Sequence, residues 1–232
     1  MNTRPIVLFE GYTIENFKFA VHTLFKSQNT EDKKKADQFL CNFERTNEAW
    51  DISIQVLRTP NLEEEAYYNA SQIIKKKIRF DFGNYTENKE IIENMAFFLV
   101  EKILDFKEHK YYLLTNFCKC FALLAIFAHR IIPDIIKVIV QKLNNDDIKN
   151  LMSLLLIFNY LAEGVSDDEV VIDQQYKSSY EVFLRNISDD VVVYLNYLIK
   201  IISDKNYKQE IIKKDPTMIS FFRIMNKNVF LN

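Results

Sequence analysis

The chain has 232 residues, of which 3 are Gly and 4 are Pro, together about 3% where an average protein has roughly 12%. Turn-rich β-sandwiches, Gly-rich phosphate loops and dinucleotide-binding strand–turn–helix units need these residues at their turns, so the composition excludes them. The net charge of −2 lacks the basic excess typical of nucleic-acid-binding and membrane-surface proteins. With 48% hydrophobic residues, 19 Phe and 12 Tyr, the chain has enough apolar area for a large core.

Helical periodicity runs through most of the sequence, because apolar residues recur every three or four positions. In chain order, we predict helices over Thr13–Gln28, Glu31–Arg45, Glu48–Arg58, Leu62–Phe80, Glu87–Phe106, Glu108–Ala128, Pro133–Leu143, Asp146–Ala162, Tyr176–Ile202 and Tyr207–Asn226. An acidic irregular stretch, Gly164–Gln175, precedes the last two. The short β-branched clusters Val170–Ile172 and Val191–Val193 are the places where a strand competes best with helix.

These helices fall into pairs that begin near residues 13, 47, 87, 131 and 175. The spacing of about 34 to 44 residues is close to the roughly 40–47 residues of a two-helix HEAT repeat. The second helix of several pairs is the more apolar, as expected for an inner helix that neighbouring layers cover on both sides. The sequence therefore predicts an all-α fold, a right-handed α-solenoid of about five HEAT-type helical hairpins.

Neither the start of the chain nor its apolar middle predicts a membrane protein. Residues 1–10 lack the pattern of a signal peptide. The most apolar region, Leu113–Leu143, is interrupted by charged residues such as Lys119 and Arg130, so we expect no membrane insertion. Three cysteines make no disulfide framework, which indicates a reducing compartment.

The residues that could carry chemistry favour no enzyme and no metal site. Cys118 and Cys120 lie about 200° apart around a helix, so they cannot hold one ion together. The acidic pairs, such as Asp146–Asp147, stand at predicted helix starts or in loops, where carboxylates cap free N–H groups. No nucleophile or phosphate-loop motif occurs. We therefore predict a protein that is not an enzyme and that needs no cofactor and no metal.

One helix face has the composition of a binding surface. Tyr68, Gln72, Lys75 and Arg79 share a stripe at helical spacing, opposite the inward-facing Ile74 and Ile78. An aromatic ring, an amide and two cations suit protein recognition. On these residues alone, a simply solvated helix face is the favoured alternative.

Several segments resemble nuclear transport receptors of the importin-β superfamily, most closely the branch of transportin-SR and importin-thirteen. The best single marker is Trp50 after Ala49. The likeness runs in the same order and at similar spacing over about residues 13–165, although Phe39 stands where the family prefers Trp and Glu44 where it prefers Gln. The resembling segments are Ala36-x-x-Phe39-Leu40-x-x-Phe43-Glu44-Arg45-Thr46, Ala49-Trp50-Asp51-Ile52-Ser53, Ala70–Ile78, Asn116–Ala125 and Tyr160–Val165.

The resemblance implies a function in nucleocytoplasmic transport. Such receptors are HEAT superhelices several times longer than this chain, so residues 1–232 are expected to be an amino-terminal fragment. Its importin-like region would span residues 13–165, with further HEAT helices over 174–232. The expected partners are the GTP form of the small GTPase Ran, protein cargo and nucleoporins, without direct contact to nucleic acid. The branch implies cargo such as Arg/Ser-rich splicing factors, with import or export left open, and localisation to both cytoplasm and nucleus.

The resemblance also implies a site. In the family, Ran docks on the concave face, which the second helix of each early hairpin lines. Projected onto this sequence as exposed stripes, the residues expected to contact Ran are Gln38, Asn42, Arg45, Tyr68, Gln72, Lys75, Arg79, Asn116 and Lys119. The alternative function is that of an α-solenoid adaptor or scaffold unrelated to Ran.

Overall fold

A computed structural model of the chain describes residues 11–106, 110–143, 148–163 and 178–186, together with Gln209. The described residues form helices and contain no strand, so the predicted all-α fold is confirmed. The helices are α1 (Ile14–Lys26), α2 (Thr30–Phe43), α3 (Glu48–Arg58), α4 (Glu64–Asp81), α5 (Lys89–Phe106), α6 (Tyr111–Ala128), α7 (Ile135–Leu143) and α8 (Ile148–Glu163), with a 3₁₀ turn at Phe82–Tyr85 after α4 and further helix over 178–186.

The first eight predicted helices agree with the structure to within a few residues at each end, which is the usual scatter of helix boundaries. The remaining expectations fall largely outside the described residues. They are the irregular stretch Gly164–Gln175, the clusters Val170–Ile172 and Val191–Val193, the greater part of Tyr176–Ile202, nearly all of Tyr207–Asn226 and the Asp146–Asp147 cap.

Local chemistry explains where the early helices begin. The Thr13 side chain caps α1 by accepting a hydrogen bond from the Asn16 N–H at 3.1 Å, and the Asn29 side chain accepts from the Glu31 N–H at 2.9 Å to cap α2. Such caps satisfy N–H groups that have no partner within the helix.

The turn between α3 and α4 contains Pro60 and then Asn61, whose φ of 58° lies in the left-handed region. Asparagine tolerates that conformation better than most residues. The Tyr67 hydroxyl fastens the turn from α4, since it donates to the Thr59 carbonyl at 2.8 Å and accepts from the Leu62 N–H at 3.0 Å. The chain reversal is therefore fixed by one buried side chain.

The eight helices form four hairpins in the described part of the chain: α1–α2, α3–α4, α5–α6 and α7–α8. The second helices of the later hairpins pack in a row, α4 on α6 and α6 on α8, while α5 packs on α7. This is the stacking expected of a repeat protein, in which each hairpin contacts its neighbours.

The central helix α6 is the core of this stack. Its residues Leu113, Phe117, Phe121 and Leu124 are fully buried. Among the described residues α6 is the one helix long and apolar enough to cross a membrane, and 72% of that stretch is buried between its neighbours. Its apolar character is accounted for by its place between α4 and α8.

The first hairpin is arranged differently from the others. Its helix α1 packs on α4 and on α3, and α1 rather than α2 makes the extensive contact with α4. The ion pair between Glu44, at the end of α2, and Lys76 of α4 also joins the two hairpins, at 2.5 Å. Helix α2 therefore does not continue the row of second helices that α4, α6 and α8 form.

Candidate protein-binding surface on α4 and α6

The predicted stripe on α4 lies on one side of the helix. Tyr68 is 36% exposed, and Gln72, Lys75 and Arg79 are half-buried. Ile74 and Ile78 on the opposite side are buried at 1% and 2% exposure, as the periodicity predicts. The stripe is thus at least partly accessible along its whole length.

Helix α6 adds an aromatic residue that the sequence reasoning did not select. The ring of Tyr112 meets Tyr68 edge to face, with centroids 5.5 Å apart, and Tyr112 is itself 41% exposed. The repeat period could have found it, since Tyr68 and Tyr112 are separated by the same 44 residues as the hydrogen-bonded pair Gln72 and Asn116. The two tyrosines form a continuous aromatic patch across two hairpins.

An exposed network of charges borders this patch. Glu64 accepts hydrogen bonds from Lys110 at 2.6 Å and from the Tyr112 hydroxyl at 3.0 Å. The Lys110 hydrogen bond lowers the pKa of Glu64, and Glu64 in turn raises the pKa of Lys110. Burial, and then the Glu64 hydrogen bond, raise the pKa of Tyr112, so its hydroxyl stays protonated and keeps donating.

Asn116 does not occupy the exposed position that the sequence analysis gave it. It is only 4% exposed, because α4 covers it. Its amide donates to Ser71 Oγ at 2.6 Å, and its carbonyl oxygen accepts from Gln72 Nε2 at 3.1 Å. A short polar residue in the contact between two helices is buried by the neighbouring helix, which the periodicity of one helix cannot show. Asn116 can therefore orient Gln72, but the prediction that it is exposed is wrong.

Three cations on α4 and α6 differ in their surroundings. The Arg79 guanidinium lies 5.1 Å from the ring centre of Phe80. The Lys119 ammonium lies 4.9 Å from the ring centre of Tyr160 on α8. The positive charge of Lys75 partly offsets the effect of burial on the pKa of the Cys120 thiol. We define the α4–α6 surface as the residues Tyr68, Gln72, Lys75, Arg79, Tyr112 and Lys119.

The predicted residues of the first hairpin lie apart from this group. Gln38 and Asn42 are exposed on α2 and hydrogen-bond each other at 3.0 Å, and Arg45 is exposed just after that helix. Helix α4 packs along α6 and not along α2. The structure therefore brings the four stripe residues of α4 together with Lys119 of α6. The three predicted residues of the first hairpin form a second, separate set.

A groove between α3 and α5 is a further surface feature. It has a volume of about 410 Å³, with Trp50 and Ile54 of α3 on one side, Met95 and Phe98 of α5 on the other, and Ile74 of α4 also lining it. Charged and amide side chains of α3 and α5 also line it, so the groove suits a partner side chain that is largely apolar with a polar end.

The described part of the chain offers little for catalysis or metal binding. No three His, Cys, Asp or Glu side chains among the described residues come together as metal ligands would. Cys118 and Cys120 are fully buried, and each thiol faces a backbone carbonyl, that of Ser153 and that of Ser71 respectively. Burial raises the pKa of Cys118 far above its ordinary value and that of Cys120 to about 12.

We expect a thiol reagent to distinguish the three cysteines. Cys41 is exposed, whereas Cys118 and Cys120 are buried, and only a thiolate that solvent can reach reacts. With Ellman's reagent at neutral pH, Cys41 should react at once, and the two buried thiols should react only after urea unfolds the chain. Fast reaction of all three thiols without urea would contradict the buried position of α6, and Cys41→Ser, which should abolish the fast phase, is the control.

Comparison with known proteins gives a partial likeness. No protein-family model matches the chain. Over 115 residues, which are 50% of this chain, it is 29% identical to importin-13 of Homo sapiens and of Bos taurus, and the match covers 12% of each importin. It is 26% identical over 125 residues, or 53% of the chain, to an uncharacterised protein of Schizosaccharomyces pombe, and covers 13% of it. The similarity supports an importin-type relationship, without distinguishing one branch of that superfamily.

Proposed function

We propose that this chain is an amino-terminal segment of a nuclear transport receptor and that it binds the GTP form of Ran. The observation that carries the proposal is the α4–α6 surface, which joins aromatic, amide and cationic side chains of two successive hairpins in a chain similar to importin-13. Because the match covers 12% of importin-13, the activity of the whole receptor belongs to the proposal as well.

The chemistry of the surface suits a protein partner. Two tyrosines in edge-to-face contact present a rigid, partly polar area, and aromatic residues and Arg are enriched at interfaces. Gln72 is held by Asn116, so less side-chain entropy is lost on binding than for a free amide. We propose Lys75, Arg79 and Lys119 as the cations that meet acidic groups of Ran, with Gln38, Asn42 and Arg45 as a second contact from the first hairpin.

The wider proposal follows the family. The receptor carries protein cargo, with Arg/Ser-rich splicing factors as the expected class, and shuttles between cytoplasm and nucleus. Nucleoporins complete its partners, and the groove between α3 and α5 is one described surface that could receive their side chains. It acts by binding and not by catalysis. The competing proposal, an α-solenoid adaptor unrelated to Ran, shares the fold but not the dependence on GTP.

Calorimetry with purified Ran tests the proposal. We expect the 232-residue chain to bind Ran·GTP in preference to Ran·GDP, and the double variant Lys75→Glu/Arg79→Glu to weaken that binding at least about tenfold, which is about 1.4 kcal/mol. The matched control is Lys137→Glu/Lys142→Glu, which makes the same charge change at exposed positions of α7 and should bind like the unaltered chain.

The possible failures are distinguishable. No preference for Ran·GTP by the unaltered chain would refute the receptor function and favour the adaptor. The other failure is that the unaltered chain prefers Ran·GTP but Lys75→Glu/Arg79→Glu binds it with the same affinity. That result would retain the function and refute the α4–α6 surface as the site.

A further inference from the structure

The contact between the first hairpin and α4, which we call the first junction, contains three exposed polar contacts. Lys26 of α1 lies 2.8 Å from Glu65, and Glu44 at the end of α2 lies 2.5 Å from Lys76. His22 Nδ1 of α1 lies 3.2 Å from a carboxylate oxygen of Glu63, which precedes α4. Both lysine side chains in these contacts are half exposed, at 50%. Solvent therefore reaches every one of these contacts.

The next contact along the stack, between the second and third hairpins, has one exposed ion pair, Lys110–Glu64, but it also contains buried hydrogen bonds. Asn116 donates to Ser71 Oγ in a buried hydrogen bond, and the Cys120 thiol donates to the Ser71 carbonyl at 3.6 Å. Around them, the rings of Tyr67 and Phe106 meet edge to face, with centroids 5.0 Å apart. Buried hydrogen bonds and apolar contacts of this kind are little affected by dissolved salt.

Aromatic rings pack on one another within the first hairpin. The rings of Tyr12, Phe17 and Phe39 each contact the ring of Phe43 within the same hairpin, with centroids 5.5, 5.5 and 6.2 Å apart. The Phe17–Phe43 contact joins α1 to α2, and the other two lie within α2 or between α2 and the residues before α1. All three would move with the hairpin. The hairpin can thus turn as a unit without breaking its own core.

The polar contacts lie far enough apart to control such a rotation. Glu65 is in the first turn of α4 and Lys76 is 11 residues later. Since an α-helix rises 1.5 Å per residue, the two ion pairs contact α4 at points about 16 Å apart. One contact comes from the end of α1 and the other from the end of α2. Releasing both would leave the α1–α4 packing as an axis about which the first hairpin can turn.

We propose that the first junction is a salt-sensitive hinge, in which the pairs Lys26–Glu65 and Glu44–Lys76 set the angle of the α1–α2 hairpin against the rest of the solenoid. Exposed ion pairs are individually weak, and the screening length falls from about 10 Å at 0.1 M salt to about 3 Å at 1 M. Salt therefore loosens the first junction while the contact between α4 and α6 keeps its geometry. Arg45 directly follows Glu44, so the hinge also sets the separation between Arg45 and the α4–α6 surface.

Pulsed electron–electron double resonance, which measures the distance between two spin labels, tests the hinge directly on the 232-residue chain. One spin label attaches to the native Cys41 on α2, which is exposed, and the second to Asn94→Cys on α5, while the buried Cys118 and Cys120 stay unlabelled. We expect one narrow distance distribution at about 0.05 M salt, and a shifted or broader one at about 1 M, where screening is strong.

The variant Lys26→Gln/Lys76→Gln should show the high-salt distribution already at low salt. The matched control is Lys34→Gln/Lys89→Gln, which removes the same charge from ion pairs that stay within one helix, Lys34–Glu31 and Lys89–Glu93, and it should retain the narrow distribution. A distribution independent of salt, or one that broadens equally in the control, would overturn the hinge. The measurement contains no Ran, so its result is independent of the proposed function.

Discussion

Replacing Phe117 by alanine is expected to lower the free energy of unfolding by about 3–5 kcal/mol, the usual cost of removing a buried phenylalanine ring. Phe117 has no exposed surface, and its ring packs against Phe106 with centroids 5.1 Å apart. It sits on α6, between α4 and α8, so neighbouring helices would have to close in from both sides to fill the cavity. Urea unfolding followed by circular dichroism measures the loss.

The matched control is Phe97→Ala on α5. Phe97 is 51% exposed, so the same change of side chain should alter the free energy of unfolding by no more than about 0.5 kcal/mol. Similar losses for the two variants would mean that α6 is not the core of the stack, because only a buried ring leaves a cavity.

The second large effect is expected from Asn116→Asp, which puts a carboxyl group where a buried amide donates to Ser71 and accepts from Gln72. The carboxylate would keep the Gln72 donor but lose the donation to Ser71 Oγ, whose hydroxyl already donates to the Tyr68 carbonyl at 2.7 Å. Burial raises the pKa of such a carboxyl group in the folded chain above its value of about 3.9 in the unfolded chain. We expect a loss of about 3 kcal/mol at pH 8.

The pH dependence has a definite sign. Since the folded state of Asn116→Asp holds its proton to higher pH than the unfolded state, acid favours folding of the variant relative to the unaltered chain. The loss should therefore be small near pH 4 and grow as the pH rises through the raised pKa. Urea unfolding of both chains at several pH values measures it. An equal loss at all pH values would show that the introduced group is not buried, and the exposed Asn94→Asp is the control.

The sequence predicted the parts of the fold that depend on one helix at a time. The spacing of Ile74 and Ile78 identified the buried side of α4, and the more apolar character of the second helices identified α6 as an inner helix. Both predictions follow from a period of 3.6 residues, which relates side chains along one helix to its core-facing side. The same reasoning placed Tyr68, Gln72, Lys75 and Arg79 on one face.

Contacts between helices were beyond that reasoning. Tyr112 was missed and Asn116 was placed on the surface, because each owes its surroundings to α4, which packs over α6. The repeat period of 44 residues could have supplied both, since it pairs Tyr68 with Tyr112 and Gln72 with Asn116. A polar residue type does not by itself tell whether the position is exposed, because the same side chain can be hydrogen-bonded to water or to a buried partner.

By itself, the sequence determined that this chain folds into stacked helical hairpins with α6 inside, and its resemblance to importins led to the proposed binding surface. Only the tertiary structure decided which polar residues face solvent and how the hairpins are joined. It buried Asn116, paired Tyr68 with Tyr112 and attached the first hairpin to α4 partly through exposed ion pairs. The physical reason is that helical periodicity is a property of a single segment, whereas burial, pairing and charge contacts between segments depend on which helix lies opposite.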